Sequence, residues 1–291
     1  MSVGPGAFTL NNGVTIPSVG LGVFQSSSAD TLHAVETALR DGYRLIDTAS
    51  AYGNEAEVGE ALRRSAVDRG DVFVTTKLWL RDYGYDATLR AFDASMDKLG
   101  LDVLDLYLIH QPVPPSMDVV ADSYRAMEKL LAEGRIRAIG VCNHTPVMLE
   151  DLMDRTEIVP AVNQVELHPH FVQEDLRTFH RAHSILTQAW SPIGGISRYR
   201  PTERTKDPLT EPVITRLAGQ YGKTSAQVIL RWHLQRGVCV IPKSVHDERI
   251  AENLDVFDFS LTPDEVESIS ALDTGVRGGP NPESITLDSF S

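Results

Sequence analysis

A regular alternation of short apolar stretches with helical stretches runs along nearly the whole chain and constrains its fold more than any other feature. The apolar stretches read as strands and lie at residues 18–24, 43–46, 72–76, 104–109, 136–141, 161–165, 185–189 and 238–241. Parallel strands need crossover helices, so this order indicates a parallel sheet. Eight such units in 291 residues fit a closed (β/α)8 barrel better than a doubly wound sheet, and no strand is followed by a GxGxxG fingerprint.

The two ends of the chain carry shorter features. Two apolar triplets, residues 8–10 and 14–16, flank an Asn12-Gly13 turn and predict an N-terminal β-hairpin. Residues 278–291 form a short tail rich in glycine and proline. No Pro/Ser-rich linker divides the chain, so we expect one barrel domain over residues 1–291.

The composition and net charge of the chain limit the kinds of partner that it is expected to bind. A hydrophobic content of 42% and a charged content of 23% are ordinary for a soluble globular protein. The net charge of -13 repels a phosphate backbone, so nucleic acid is not an expected partner. The first residues lack a secretory pattern, no apolar run is long enough to cross a membrane, and two cysteines cannot form a disulfide framework. We therefore expect a cytoplasmic protein without a membrane partner.

Polar side chains interrupt three consecutive strands where they end. Asp47, Lys77 and His110 follow the second, third and fourth predicted barrel strands, and Tyr52 lies on the loop after the second. Taken singly, each residue is more often a turn former or a solvated strand end. In a barrel, however, all strand C-termini open onto one face, so the four side chains are expected to converge there.

Such a group suits proton transfer to an oxygen. A tyrosine has a pKa of about 10 and is a poor acid at neutral pH. A neighbouring lysine ammonium favours the phenolate, so Lys77 is expected to lower the pKa of Tyr52 while Asp47 orients Lys77. His110 can donate a hydrogen bond to a carbonyl oxygen. This chemistry fits hydride delivery to an aldehyde or ketone.

Seven motifs, in order over nearly the whole chain, resemble the aldo-keto reductases, and most closely the microbial 2,5-diketo-D-gluconate reductase branch. They are IDTASAYGNE, TTKLW, LYLIHQP, IGVCNH, VNQVELHP, AWSPIG and IPKSVHDERIAENLDVFDFSLT. The resemblance implies a catalytic tetrad with Tyr52 as general acid beside Asp47, Lys77 and His110. It also implies an NADPH-dependent reductase of small or sugar-derived carbonyls that binds its cofactor without a Rossmann fold, usually as a monomer.

The resemblance further implies the cofactor contacts. For the nicotinamide these are the carboxamide-binding pair Asn143 and Gln164 and the stacking residue Trp190. The pyrophosphate would lie along Ser191, Ile193 and Gly194. For the adenosine half, a basic cluster of Lys243, Ser244 and Arg249 is expected to hold the 2′-phosphate. Glu252 and Asn253 would contact the adenine, and Val245 belongs to the same cofactor site.

Several positions depart from the pattern of the family. Cys142 stands where many relatives have serine, which would weaken one carboxamide hydrogen bond. His246 stands where close relatives often have arginine, so NADPH is expected with NADH tolerated. Gln111 and Phe24 replace other aromatic pocket residues, and with Trp79 as a wall they predict a wider, more polar pocket.

Three other readings are open at this stage. The pairs His168/His170 and His180/His183 have metal-ligand residue types, but no carboxylate or cysteine completes either set at ligand spacing, so no metal is expected. A Schiff-base aldolase would use Lys77 with a depressed pKa, which Asp47 opposes. A barrel that binds NADPH to sense redox state, with little turnover, is the alternative from a different functional class.

Overall fold

The protein is described here as a computed structural model that covers residues 6–196 and 206–290, so Ser291 at the end of the predicted tail lies outside the described residues. The strands are β1 Ala7–Thr9, β2 Thr15–Pro17, β3 Leu21–Gly22, β4 Leu45–Asp47, β5 Phe73–Leu78, β6 Leu104–Ile109, β7 Ile136–Cys142, β8 Val162–Glu166, β9 Leu186–Trp190 and β10 Cys239–Val240. The helices are α1 Ser28–Asp41, α2 Glu55–Arg64, α3 Tyr85–Leu99, α4 Met117–Ala132, α5 Pro146–Arg155, α6 Glu174–Ala182, α7 Pro212–Tyr221, α8 Ser225–Gln235, α9 Asp247–Leu254 and α10 Pro263–Ser270.

Strands β3 to β10 form one parallel sheet in chain order. The sheet closes on itself because Val19, just before β3, bridges to Val240 in β10. Backbone bonds from Gly20 N to Val240 O (2.8 Å) and from Gly22 N to Pro242 O (3.1 Å) complete the seam. The predicted (β/α)8 barrel with an N-terminal hairpin is therefore confirmed.

The alternation of side chains along each strand separates two apolar layers. Ile46, Val74 and Tyr107 belong to the layer between the barrel and its helices. Their neighbours Leu45, Phe73 and Leu106 belong to a second layer inside the barrel. Because side chains alternate with a period of two, the inward positions that follow toward the strand C-termini are Asp47, Lys77, His110, Cys142, Gln164 and Gln188. The interior is thus apolar at one end and polar at the other.

The hairpin β1–β2 fills the apolar end of the barrel. Phe8, Leu10 and Ile16 are buried and pack with the inner layer of the strands. Asn12 Nδ2 also donates to the carbonyl of Arg137 (2.9 Å) at the start of β7, which ties the turn to the barrel wall. Burying these apolar side chains removes water from that end, so access to the interior is restricted to the polar end.

One helix is shorter than its sequence pattern predicts. The helical periodicity of Glu55 to Val67 predicts a helix over that whole stretch, but α2 ends at Arg64. Ser65 adopts an extended conformation, and its hydroxyl accepts a hydrogen bond from the backbone N–H of Val67 (3.1 Å). This local turn replaces a further helical turn, as serine side chains often do. In residues 6–196 and 206–290, no helix has the length and apolar character needed to cross a bilayer.

A glycine contrast tests the packing of α2. A Cβ at Gly59 would lie 2.4 Å from the carbonyl oxygen of Leu99, the last residue of α3, whereas a Cβ at the exposed Gly219 in α7 would meet nothing within 4 Å. We expect Gly59→Ala to lower the free energy of unfolding by about 1–3 kcal/mol because α2 and α3 must separate. The matched Gly219→Ala is expected to raise it by roughly 0.5–1 kcal/mol. Urea unfolding measures both; equal effects would contradict the contact.

Buried neutral histidines predict loss of stability in acid. Burial lowers the pKa of His144 to about 4 and that of His180 to about 3, against about 6.5 in an unfolded chain. Asn163 Nδ2 donates to His180 Nε2 (3.0 Å), so Nδ1 carries the hydrogen bound to Thr187 Oγ1 (2.8 Å), and protonation would break this arrangement. The unfolded chain therefore binds more protons below about pH 6.5, and this stability is lost as the pH falls toward the folded-state values.

The expected loss in the free energy of unfolding is about 2 kcal/mol for each of these histidines between about pH 7.5 and about pH 5. Urea unfolding at both pH values measures it. His180→Gln should reduce the pH-dependent loss, whereas the same change at exposed His183 should leave it intact. A free energy of unfolding that does not change with pH would show that these histidines gain no protons on unfolding.

Candidate active site

A buried ion pair lies at the polar end of the barrel interior. Lys77 Nζ donates to Asp47 Oδ1 (2.5 Å) and to the carbonyl of Thr48 (2.8 Å), and neither side chain of the pair is more than 2% exposed. Burial lowers the pKa of Lys77, but the attraction of Asp47 outweighs it and leaves that pKa above its usual value. Burial also raises the pKa of Asp47, and the bonds from Lys77 and Gln164 counteract this rise.

The loop after β4 brings Tyr52 to the same ammonium group. Lys77 Nζ lies 3.4 Å from Tyr52 Oη and 5.0 Å from the centre of its ring. Asn54 fixes the loop, because its side chain accepts from Thr48 Oγ1 (2.8 Å) and donates to the carbonyl of Val23 (3.0 Å). Ser50 Oγ adds a bond to the carbonyl of Lys77 (2.9 Å). The loop that carries the Tyr52 phenol is therefore bonded to Val23, just after β3, and to Lys77 in β5.

Lys77 affects the pKa of Tyr52 in the predicted direction, but a larger influence opposes it. Burial is the largest influence and raises the pKa of Tyr52 to about 12, although Lys77 acts in the predicted, lowering direction. The difference arises because sequence reasoning weighed the neighbouring charge and not the loss of water around the phenol. Tyr52 is consequently a protonated group at neutral pH, with a cation beside it that stabilises the anion formed when it gives up its proton.

His110 follows β6 directly and faces the Tyr52 ring, with ring centroids 5.5 Å apart. Burial, and then the positive charge of Lys77, hold the pKa of His110 well below its ordinary value. The imidazole is thus neutral and has one donor and one acceptor nitrogen. Its Nδ1 is buried and has no hydrogen-bond partner among residues 6–196 and 206–290.

Gln164 joins this group by a contact that sequence reasoning did not anticipate. Its Nε2 donates to Asp47 Oδ2 (2.8 Å) and to Gln188 Oε1 (2.8 Å), and Gln188 Nε2 in turn lies 3.2 Å from Cys239 Sγ. Both amide hydrogens of Gln164 are engaged, which leaves its oxygen for a ligand. Gln188 was missed, although it lies two residues before Trp190 and so shares its inward side.

Asn143 and Trp190, predicted to contact the nicotinamide, also contact each other. Trp190 Nε1 donates to Asn143 Oδ1 (2.8 Å). Asn143 Nδ2 donates to Gln111 Oε1 (3.3 Å), so Gln111, predicted to line the substrate pocket, also orients the Asn143 amide. Asn143 has a φ of 60°, a conformation that asparagine adopts more readily than most residues. Cys142 is buried at the inward position just before it.

The residues predicted to bind the 2′-phosphate and the adenine follow β10 and continue along α9. Lys243 and Arg249 are exposed, and no ion pair within the described ranges engages either. Ser244 Oγ accepts from His246 N (3.1 Å), and His246 precedes α9, whose N-terminus favours anions. Residues 245–249 line an open cavity of about 470 Å³. Asn253 is buried and Glu252 exposed on the same helix.

The predicted pyrophosphate residues form a tight turn after β9. Ser191 and Gly194 have φ values of 53° and 72°. Ser191 Oγ accepts from Ile196 N (2.8 Å), and Ile193 is half-buried against the outer layer. Their contacts with a cofactor stay predictions.

Aromatic rings surround the opening above Tyr52. Phe24 packs on Tyr52 with ring centroids 5.0 Å apart, and Trp79 packs on His110 at the same separation. Phe290, near the end of the chain, lies 5.6 Å from Trp79. The Phe290 contact could not be predicted, because the tail has no periodic pattern. The opening is therefore more aromatic than the expected polar pocket.

The paired histidines are engaged in hydrogen bonds. His168 Nε2 lies 3.1 Å from Glu166 Oε1, and His170 Nε2 lies 2.9 Å from Glu211 Oε1. His183 stacks on Phe179 with ring centroids 4.1 Å apart. Across the described parts of the chain, no three metal-ligating side chains come together as a metal site.

Comparison with known proteins places this geometry in a family. Residues 6–274 match the family described as "Aldo/keto reductase family". The morphine 6-dehydrogenase of Pseudomonas putida is 52% identical over 97% of this chain and 96% of its own. The methylglyoxal reductase DkgA of Escherichia coli is 44% identical over 96% of this chain and 98% of its own. The Bombyx mori aldo-keto reductase, solved in complex with NADP, is 35% identical over 96% of both chains with a TM-score of 0.88. The chain belongs to the aldo/keto reductase family.

Proposed function

We propose that this protein reduces aldehydes or ketones to alcohols with NADPH, and that Tyr52 supplies the proton. The observation that carries the proposal is the buried contact of Lys77 with both Asp47 (2.5 Å) and Tyr52 (3.4 Å) beside a neutral His110. This arrangement holds an acid, a charge that stabilises its conjugate base, and a neutral ring nitrogen at one opening. Such a set suits a carbonyl oxygen that becomes negative during reduction.

The residues around the opening fit a dinucleotide. Lys243 and Arg249 lie beside the N-terminus of α9 and have no ion pair among residues 6–196 and 206–290, so these exposed cations suit a phosphate group. The free oxygen of Gln164 and the amide of Asn143 suit a carboxamide, and the half-buried Trp190 offers a ring face. When bound, reduced nicotinamide supplies a hydride to the carbonyl carbon.

The protein residues then handle the oxygen. As the carbonyl oxygen gains charge, Tyr52 gives it the phenolic proton, and the Lys77 ammonium at 3.4 Å stabilises the resulting phenolate. Asp47 keeps that ammonium in place. His110, neutral because burial lowers its pKa, can donate a second hydrogen bond without carrying a charge of its own. The products are the alcohol and the oxidised cofactor.

The same contacts weigh against a Schiff-base aldolase. That reaction needs a neutral lysine amine as nucleophile. The pKa of Lys77 is held above its usual value and its hydrogens are directed at Asp47 and Thr48, so the amine is neither neutral nor free. Lys77 therefore acts as a fixed cation.

The substrate range is proposed from relatives and from the aromatic opening. The similar proteins include a glyoxal reductase of Bacillus subtilis, a methylglyoxal reductase and a morphine dehydrogenase. We infer uncharged carbonyls, from α-ketoaldehydes to bulkier aromatic ketones, because Phe24, Trp79 and Phe290 line the opening.

The first test of the function combines wild-type turnover with removal of the acid. Wild-type protein should oxidise NADPH in the presence of a panel of aldehydes, α-ketocarbonyls and keto-sugars. Tyr52→Phe should lower kcat by about 100-fold or more, because it removes only the proton donor, while NADPH binding changes little. Exposed Tyr85→Phe is the matched control. Retained turnover in Tyr52→Phe would refute the acid, and NADPH binding without turnover by the wild type would favour the redox-sensing alternative.

Arg249 tests the 2′-phosphate assignment. Arg249→Ala should raise the Kd for NADPH about tenfold and leave the Kd for NADH nearly unchanged, since only NADPH carries the 2′-phosphate. Arg90→Ala removes the same charge from an exposed position on α3 and is the control. Titration of the wild type and both variants with both cofactors measures the six Kd values. Equal weakening of NADPH and NADH would reject the assignment.

A further inference from the structure

We infer that Glu166 is a positioning residue whose buried carboxylate clamps the chain segment 277–280, here called the strap, against Trp190 and so fixes that indole for the nicotinamide. This inference rests on the proposed function. It concerns a residue to which neither the family resemblance nor the proposed catalytic group assigns a role, and it gives the tail a defined contact with the cofactor end of the site.

The carboxylate of Glu166 lies at the end of β8 and is fully buried. It accepts the backbone N–H of Gly278 at Oε1 (2.7 Å) and that of Gly279 at Oε2 (2.8 Å). His168 Nε2 lies 3.1 Å from Oε1, and an Arg277 nitrogen lies 3.9 Å from Oε2. Burial raises the pKa of Glu166, but His168 and the two N–H groups outweigh it and keep the carboxyl ionised. The buried charge of Glu166 is thus stabilised by hydrogen bonds from two consecutive backbone amides of the tail.

The strap has no room to shift toward the barrel. A Cβ at Gly279 would lie 2.6 Å from Trp190 Cη2 and 2.9 Å from Glu166 Oε2. A Cβ at Gly278 would lie 2.7 Å from Ile196 Cγ2. The two glycines therefore allow the backbone to touch the indole edge while its amides reach Glu166. Any side chain at Gly279 must displace the strap or the ring.

Trp190 is consequently held from two sides. Its Nε1 is bound to Asn143 Oδ1 (2.8 Å), and its six-membered ring meets the strap at Gly279. Glu166 and Trp190 are also register partners in β8 and β9, so the carboxylate is anchored beside the residue that it constrains. Removing the clamp leaves the Asn143 bond as the remaining polar restraint on the indole within the described residues.

The Glu166 clamp lies between two other attachments of the tail to the barrel. Before the strap, Thr274 N and Oγ1 both donate to the carbonyl of His170 (3.0 and 2.9 Å). After it, Phe290 packs on Trp79, and Arg81 donates to the Phe290 carbonyl (3.2 Å). Since Trp79 follows β5 and Trp190 ends β9, the tail passes from one side of the opening to the other. Glu166 is the attachment at the nicotinamide side.

The test distinguishes the affinity for the nicotinamide half of NADPH from the affinity for its adenosine half. In Glu166→Gln one acceptor oxygen becomes an NH2 that faces the Gly279 amide, so the strap should leave Trp190. We expect the Kd for NADPH to rise about tenfold. The Kd for 2′,5′-ADP, which has the phosphorylated adenosine and no nicotinamide, should stay within about twofold of wild type, because Lys243 and Arg249 are untouched. Glu166→Asp keeps a carboxylate and should recover part of the NADPH affinity.

Amide exchange and three further variants make the outcome decisive. Hydrogen exchange at the amides of Gly278 and Gly279 should become at least about tenfold faster in Glu166→Gln. Gly279→Ala should weaken NADPH and spare 2′,5′-ADP in the same way, and it decides the matter if Glu166→Gln does not fold. Glu283→Gln changes an exposed carboxyl of the same tail, and Gly219→Ala changes an exposed glycine. Both are matched controls and should bind NADPH and 2′,5′-ADP with wild-type affinity.

Unchanged exchange at the two glycine amides, or equal losses of NADPH and 2′,5′-ADP affinity, would overturn the inference. Either result is distinct from failure of the proposed function. That failure would appear as absent NADPH binding or absent carbonyl reduction by the wild-type protein, whereas amide exchange reports on the clamp without any cofactor.

Discussion

The buried contact between Lys77 and Asp47 is the interaction on which the rest of the site depends. Taking two charges out of water is costly, and leaving one of them unpaired costs about 3–5 kcal/mol. The pair is retained because its remaining hydrogen-bonding capacity is filled by Thr48, Gln164 and Tyr52. Thr48 and Tyr52 come from the loop after β4, and Gln164 comes from β8. The pair therefore exists only when β4, β5 and β8 have their native register.

Much of this arrangement could be predicted from the sequence, and the reason is periodicity. The order of strands and helices specified the barrel, and the period of two along each strand put Asp47, Lys77 and Gln164 inside it. Residue type at a strand end then indicated chemistry. The sequence did not show how far each of these side chains is shielded from water. Only the folded chain shows that Tyr52 and His110 lose enough water for burial to dominate their pKa values.

The contacts of Gln188, Glu166 and Phe290 were beyond sequence reasoning for a different reason. Their partners lie far away along the chain, as in the bonds between Glu166 and the strap more than 100 residues later. Glycines in a tail rich in turn residues carry no periodic signal, so nothing in the sequence pairs them with a strand end. A carboxylate at the inward end of β8, two residues beyond Gln164, is a signal that could have been followed, because a buried charge requires partners.

In the proposed binding mode, two kinds of restraint act on opposite parts of the dinucleotide. Exposed cations near α9 can exchange water for a phosphate with little rearrangement, since no ion pair within residues 6–196 and 206–290 holds them. At the other end, the Trp190 indole is fixed in advance between Asn143 and the strap. Because the indole is fixed before the cofactor binds, binding does not have to order the ring. A mobile indole would lose conformational entropy each time a cofactor bound. A buried carboxylate clamp is thus better placed at the reacting end, where orientation decides the rate, than at the adenosine end, where charge alone suffices.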